Sequence, residues 1–244
     1  MSRRIVAVIQ ARVGSTRLRG KVLRPLAGRS MVEHVVDRAA QIPGVTDLVV
    51  AVPDLEEDDR LVRALDAAGI PSVRGPAADV LHRFTIAAEI TRADVIVRIT
   101  ADCPLLSPVI GGLVVAAFLE DRWDYASNTV ERTFPRGMDV EAFSRAVLDE
   151  ADRRATADDE REHVTPYIWR RPECYRIRSV RADVDRSDVR LTVDTEEDLR
   201  LVTAVHEALG PRDSLDLDRV LALLARRPDL TALNQHVRQR GPVR

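Results

Sequence analysis

Apolar and β-branched residues run almost unbroken from Arg4 to Ala11 (RIVAVIQA), a pattern that predicts a strand covered on both faces. The Gly, Ser and Arg residues that follow cannot extend it. Val32, Val35, Val36 and Ala39 then recur at helical spacing behind a Ser30/Glu33 capping box, so a helix is expected from Ser30. Asp47 to Val52 (DLVVAV) predicts a second strand, Asp54 a cap for a helix through about Ala68, and PSVRG a short third strand. Residues 77–92 predict a helix with Val80, Leu81, Phe84, Ala87 and Ala88 inward. Asp94 to Thr100 (DVIVRIT) predicts another buried strand, followed by a helix from about Ser107 to Leu119. Strand and helix alternating at this spacing imply a three-layer α/β fold with a mostly parallel sheet. Right-handed crossovers bring the strand C-termini to one edge, where such sheets bind ligands.

The second half is less regular. Tyr125 to Phe143 predicts short strands around the turn RTFPRGMD, and two helical stretches are expected to flank TADDEREHVTPY. YRIRSV and VRLTV predict strands, Thr195 to Leu209 a helix, and Leu217 to Ala225 a last helix before a polar tail. No repeat or Pro/Gly linker divides the chain. The expectation is one domain over 1–244, with an inserted arm at about 130–178 and a C-terminal helical tail at about 211–244.

Composition narrows the partners. With 45% hydrophobic residues in 244 the chain can bury a real core, and no apolar run approaches the roughly 18 residues of a membrane span. The basic start MSRR precedes too short an apolar stretch for a secretory signal, and Cys103 and Cys174 form neither a disulfide framework nor a metal spacing. A cytoplasmic protein with no membrane partner is expected. Net charge is -2 and the pI about 6.2, which gives no general footprint for nucleic acid. Residues 1–32, however, hold eight Arg or Lys and no Asp or Glu. A cationic pocket in an acidic protein suits a small polyanion.

That segment contains ARVGSTRLRGKVLRPLAG, and in it Lys21, the single lysine among 37 cationic residues. An ammonium is a compact point charge that an arginine fork does not replace where one phosphate is gripped end-on. Gly14 and Gly20 have five residues between them and Val22 follows the lysine, so this is no Walker A loop, and GxGxxG is absent. What remains is a strand end followed by main-chain N–H groups, Ser15, Thr16, Arg12, Arg17 and Lys21, a set able to surround a triphosphate; the alternative is a solvated basic turn. Asp102 follows DVIVRIT and Asp194 follows VRLTV, so a parallel sheet puts both carboxylates at the ligand edge. Mg²⁺ takes one or two carboxylates plus substrate phosphates. The structural alternative is that Asp194 or Thr195 caps the helix TEEDLRLV and Asp102 shapes the turn before Pro104. His163 can serve as base or substrate contact, or be structural, and Arg132 and Arg136 can clamp a substrate carboxylate or phosphate, or stand exposed on the arm. Trp123, Trp169 and Tyr167 are expected in the core or an interface.

QARVGSTRLRGKVL resembles the opening signature of sugar nucleotidyltransferases, specifically the cytidylyltransferases that activate keto-deoxyoctulosonate and sialic acids. The spore-coat polysaccharide biosynthesis protein F family is closer still. RGPAADVLHRF, VRITADCPLL, DYASNTVERTFPRGMDVEAF, EREHVTPYI, LTVDTEEDL and RRPDLTALNQHV all resemble its blocks, in order and nearly end to end. Arg19 stands where that family usually has Pro, Ala101 where Gly is usual and Ser107 where Asp is frequent.

The resemblance implies a Rossmann-like, nucleotide-diphospho-sugar transferase fold and transfer of CMP from CTP to a sugar or sugar-acid-like hydroxyl, with release of pyrophosphate. It implies that Gln10, Ala11, Arg12, Gly14, Ser15 and Lys21 hold the nucleotide, that Arg74, Asp79 and Thr100 help seat base and ribose, and that Asp102 and Asp194 ligate Mg²⁺. Arg12 and Lys21 would act with the two aspartates in catalysis. The acceptor site would be lined by RTFPRGMDVE and EREHVTPY, with Arg132, Arg136, Asp139, Glu141, Glu162 and His163, and the arm would pair two chains as a homodimer. The rival expectations are a glycosyltransferase using a nucleotide-sugar donor, whose usual DxD is here ADCP, and a nucleotide-binding subunit without activity.

Overall fold

The computed structural model describes residues 3–210 and 215–238. The strand β1 (Ile5–Gln10) leads through a 3-10 turn at Lys21–Leu23 to a small hairpin, β2 (Pro25–Leu26) and β3 (Arg29–Ser30), and then to α1 (Met31–Ala39). There follow β4 (Asp47–Pro53), α2 (Asp59–Ala67), β5 (Ser72–Gly75), α3 (Val80–Thr91), β6 (Val95–Thr100) and α4 (Pro108–Leu119). The second half supplies β7 (Tyr125–Ser127), β8 (Glu141–Ser144), α5 (Arg145–Arg154), α6 (Asp158–His163), α7 (Pro166–Trp169) and β9 (Ile177–Ser179). It ends with α8 (Glu196–Leu209), α9 (Leu217–Arg226) and α10 (Pro228–Ala232).

Seven strands form one sheet in the order β5-β4-β1-β6-β8-β7-β9, in which only β8 runs against its neighbours β6 and β7. The unbroken apolar run of β1 has the anticipated cause. Ile5, Ala7 and Ile9 face a core shared with α1, α2 and α4, while Val6 and Val8 face the other, shared with α3, α5 and α7. A third apolar cluster gathers Leu18, Met31, Phe134, Met138, Leu191 and Val193 under α8 and α9, outside the sheet. Burying β1 on both faces makes it the rigid middle of the molecule, with Gln10 paired to Ala51 and Thr100 at the C-terminal edge. Among the described residues no helix is long and apolar enough to cross a membrane.

The α/β expectation and the strands of the first hundred residues hold, and Ser30/Glu33 forms its capping box. Several local expectations do not. Asp54 caps nothing: a 3-10 turn at Glu56–Asp58 precedes α2. The helix expected over 77–92 begins at Val80, because the Asp79 side chain accepts the His82 N–H and so stops the turn there. TADDEREHVTPY is itself largely helical, as α6 and α7. The segment 130–178 contributes β8 to the interior of the main sheet, next to β6, as well as α5–α7. Past Leu217–Arg226 the tail carries α10; residues 211–214 and 239–244 of the expected tail lie outside the described residues.

The largest departure concerns VRLTV. Residues 189–193 are no strand of the sheet and make only one isolated bridge, Arg136 with Arg190. Their backbone is instead clipped to two loops: Leu191 N–H donates to the Arg136 carbonyl at 2.7 Å and Val193 N–H to the Asp102 carbonyl at 2.8 Å. Gly137 makes this approach possible. Its φ is +100°, and a Cβ there would lie 2.7 Å from the backbone of Leu191 and Thr192. No side-chain-bearing residue tolerates both.

Candidate active site

A cleft of about 930 Å³ opens at the C-terminal edge of β1 and β6. One wall is the loop after β1. Val13 anchors it: its N–H donates to the buried Asp58 carboxylate at 2.6 Å, and its carbonyl accepts from Ser15 and Gly20 at 2.8 and 3.0 Å. Gly20 adopts a left-handed φ of +67° to start the 3-10 turn carrying Lys21. These bonds close the loop on itself and occupy the Val13, Ser15 and Gly20 N–H groups, while Arg12, Ser15, Thr16, Arg17 and Lys21 line the cleft.

Lys21 sits at the focus. Its Nζ donates to Asp102 Oδ2 at 2.9 Å, to Asp194 Oδ1 at 2.7 Å and to the Val193 carbonyl at 3.0 Å. All three ammonium donors are thereby used on three acceptors from two remote segments. Thr100 Oγ1 donates to the other oxygen of Asp102 at 2.6 Å. Burial raises the Asp102 carboxyl, but the Lys21 charge and the Thr100 and Lys21 hydrogen bonds overcome this and hold it at about 2. Burial pulls the Lys21 ammonium down, and the two aspartates outweigh it and hold it above its ordinary value. Asp194 Oδ2 accepts from Arg190 at 2.9 Å and pairs with Arg17 at 3.0 Å. Cys103, beside Asp102, has its thiol pushed well up by burial, which leaves it an inert neighbour.

Asp102 and Asp194 therefore meet as anticipated, by a different route. Asp102 follows β6, but Asp194 reaches it because Val193 is hydrogen-bonded to the Asp102 backbone, not because a strand delivers it. Thr195 and Asp198 make the capping box of α8, so the cap belongs to those two residues.

Most of the anticipated nucleotide residues line the cleft: Gln10, Ala11, Arg12, Ser15, Lys21 and Thr100. Gly14 is not among the lining residues, and a Cβ on it would lie 2.8 Å from the Glu57 carboxylate. Arg74 and Asp79 are not either. Arg74 is spent on Asp59 at 2.6 Å and the Leu55 carbonyl at 2.7 Å, bracing β5 to the start of α2. Asp79 caps α3 and pairs with Arg161.

The anticipated acceptor residues, Arg132, Arg136, Asp139, Glu141, Glu162 and His163, all line the same cleft. Arg132 and Asp139 form a two-pronged pair at 2.6 and 2.7 Å. Glu141 is 4% exposed; it pairs with Arg98 and accepts the Tyr125 and Thr165 hydroxyls, so it holds the wall more than it faces the opening. Glu162 pairs with Arg12 at 3.9 Å. Burial lowers the His163 imidazole below its ordinary 6.5, leaving it neutral at pH 7.

Sequence reasoning missed Arg83, Arg98 and Arg190. Arg83 is 2% exposed, holds the Pro76 and Ala77 carbonyls and lines the cleft. Arg98 pairs with Glu141 and donates to Gln10 at 2.9 Å. An arginine inside an apolar strand or at an inward helix position was the available signal, since a buried guanidinium needs partners.

Residues 6–217 match the family model for cytidylyltransferases, and the chain belongs to that family. It is similar to the spore coat polysaccharide biosynthesis protein SpsF of Bacillus subtilis, 34% identical over 232 residues, covering 92% of this chain and 95% of the relative. It is 31% identical over 206 residues to the 3-deoxy-manno-octulosonate cytidylyltransferase of Anaeromyxobacter dehalogenans, covering 83% and 78% of the two chains. A solved cytidylyltransferase from Leptospira borgpetersenii superposes with a TM-score of 0.88 at 29% identity, covering 94% of this chain and 97% of the other. Together they make the protein a nucleotidyltransferase of CMP-sugar synthetase type, as the resemblance implied.

Proposed function

We propose that the cleft transfers CMP from CTP to the hydroxyl of a sugar or sugar-acid-like acceptor and releases pyrophosphate. The acceptor oxygen bonds to the α-phosphorus, the bond from that phosphorus to the bridging oxygen breaks, and the hydroxyl proton leaves. The observation that carries this is the convergence of Lys21, Asp102 and Asp194 beside the basic loop. Arg12, Arg17 and Lys21 would bind the triphosphate, and Arg12 and Lys21 would neutralise the charge that grows on the leaving pyrophosphate. Gln10, Ala11, Ser15 and Thr100 would complete the nucleotide contacts.

The same residues fit Mg²⁺. Asp102 Oδ2 and Asp194 Oδ1 already point at one cation, the Lys21 ammonium, and both are hard oxygen donors; Lys21 would turn from them to the phosphates when the ion binds. No cluster of three or more His, Cys, Asp or Glu suited to a metal occurs among the described residues, so the phosphates would supply the other ligands. Bound there, the ion would lower the charge at the α-phosphate and polarise the acceptor oxygen. We read the protein as a cytoplasmic homodimer paired through the 130–178 segment, whose Arg132, Arg136, Asp139, Glu162 and His163 would orient the acceptor, with Glu141 bracing the wall behind them.

A pyrophosphate-release assay tests the reading, using CTP, UTP, ATP or GTP with Mg²⁺ and a panel of sugar acids, sugar phosphates and neutral sugars. Release from CTP alone, dependent on an acceptor and abolished by chelation, is the expected result. Hydrolysis of a nucleotide-sugar without pyrophosphate release would instead support a glycosyltransferase. Tight CTP binding without turnover on any acceptor would support a non-catalytic subunit.

A further inference from the structure

One block of the sequence, RRPDLTALNQHV, has no part in the cleft, yet it ends a hydrogen-bonded series that reaches Asp194. Asn234, 3% exposed in the turn after α10, donates through Nδ2 to Asp198 Oδ1 at 2.8 Å and to the Arg190 carbonyl at 3.1 Å. Both partners are acceptors, which fixes this end of the amide as nitrogen. Asp198, 0% exposed, accepts from Arg190 Nε at 2.8 Å and Nη2 at 2.9 Å. Its Oδ2 also accepts the Asp194 and Thr195 backbone N–H groups at 2.9 and 3.1 Å. Arg190 Nη2 finally donates to Asp194 Oδ2 at 2.9 Å. Asp198 thus holds the main chain of Asp194 and also the guanidinium that holds its side chain.

Capping α8 does not account for this arrangement. The capping box needs only Thr195 and Asp198, and Arg190 and Asn234 add nothing to it. Nor is stability a sufficient reason, because a buried ion pair seldom outweighs its desolvation. A fully satisfied buried network does set one geometry, and here that geometry is the direction of one carboxylate.

We propose that Asn234 is a positioning residue of the active site, which through Asp198 and Arg190 aims the Asp194 carboxylate at Lys21 and at the divalent cation. This rests on Asp194 being a cation ligand, as read above. The family model matches residues 6–217, and Asn234 lies outside that span. Partners behind a metal ligand typically alter metal affinity by about 10- to 100-fold.

Mn²⁺ titration of the full chain in the presence of CTP, followed by electron paramagnetic resonance, tests this. Asn234→Ala should weaken Mn²⁺ binding about 10-fold or more, while CTP affinity at saturating Mn²⁺ stays near that of the wild type. Leu230→Ala, which loosens the same segment without touching the polar series, should lower Tm and leave the Mn²⁺ constant unchanged. Should Asn234→Ala not fold, Asn234→Ser, which keeps a donor, should show an intermediate weakening. Unchanged Mn²⁺ affinity in the Asn234 variant that folds, or equal weakening in Leu230→Ala, overturns the proposal. No Mn²⁺ binding by the wild type with CTP would overturn the cation reading itself, and this proposal with it.

Discussion

The two sides of the cleft solve different electrostatic problems. On the proposed nucleotide side Arg12, Arg17, Lys21 and Arg83 face Asp102 and Asp194, an excess of positive charge. On the proposed acceptor side Arg98, Arg132 and Arg136 face Asp139, Glu141 and Glu162, a balanced set in which Arg98 pairs with Glu141 and Arg132 with Asp139. The first arrangement attracts a polyanion from solution. The second offers directed donors and acceptors without a net field, which suits orienting hydroxyls. On the proposed reading, charge would gather the triphosphate at one end of the cleft and be cancelled where the acceptor would sit.

Substitutions can break that contrast, and the largest effect belongs to Lys21. Lys21→Ala should lower kcat on the order of 10²- to 10³-fold, the loss seen when one charge-stabilising donor is removed. Lys21→Arg should also be impaired, because three acceptors within 3.0 Å of one nitrogen suit an ammonium and not a planar fork. Full turnover in Lys21→Arg would show that any cation serves there.

On the balanced side, Arg132→Ala should raise the acceptor KM about 10-fold, the equivalent of roughly 1.4 kcal/mol, and leave the CTP KM unchanged. Asp139→Ala should do much the same, and the double variant should be no worse than either alone, since residues in contact are non-additive. Additive losses would mean that the two side chains contact the acceptor separately.

A smaller effect is expected in the pH dependence of stability. Asp102 is held at about 2 against an ordinary 3.8, so its contribution is complete above pH 3.8 and is lost as pH falls toward 2. Lys21 lies above its ordinary 10.5, so its contribution is complete below 10.5 and is lost at higher pH. The Tm difference between wild type and Lys21→Met should therefore shrink as pH falls through the range in which the unpaired Asp102 of the variant takes up its proton, and again above pH 10.5. A Tm difference that does not shrink in acid would contradict this pairing. Smallest of all, Arg74→Ala should leave the CTP KM within about 2-fold, because that guanidinium is occupied by Asp59 and the Leu55 carbonyl. A large rise would return Arg74 to the nucleotide.

Much of the site was legible in local pattern. Lys21 stood out as a lone ammonium among arginines, and Asp102 as the residue after an apolar strand; both depend on short-range sequence. Arg74 and Asp79 stand off the cleft lining, held by partners that a motif position does not reveal: Asp59 lies 15 residues from Arg74, and Arg161 lies 82 from Asp79. Asp194 does lie close to Asp102, but not for the reason the pattern offered: VRLTV has a strand's composition yet spends its N–H groups on the loops of Asp102 and Arg136. Asn234 stood within the resembling block RRPDLTALNQHV, but nothing in its neighbours pointed to Asp198 or Arg190.

By itself the amino-acid order determined the layers, the buried middle strands and the cationic loop, because burial period, capping and turn chemistry act over a few residues. Tertiary structure alone decided which charges neutralise one another. The contacts of Lys21 with Asp102 and Asp194 span 81 and 173 residues, and their formation depends on Gly137 letting two backbones approach and on the α8–α10 cluster pressing residues 189–194 against the sheet edge. Electrostatic pairing follows distance in space, and only packing sets that distance.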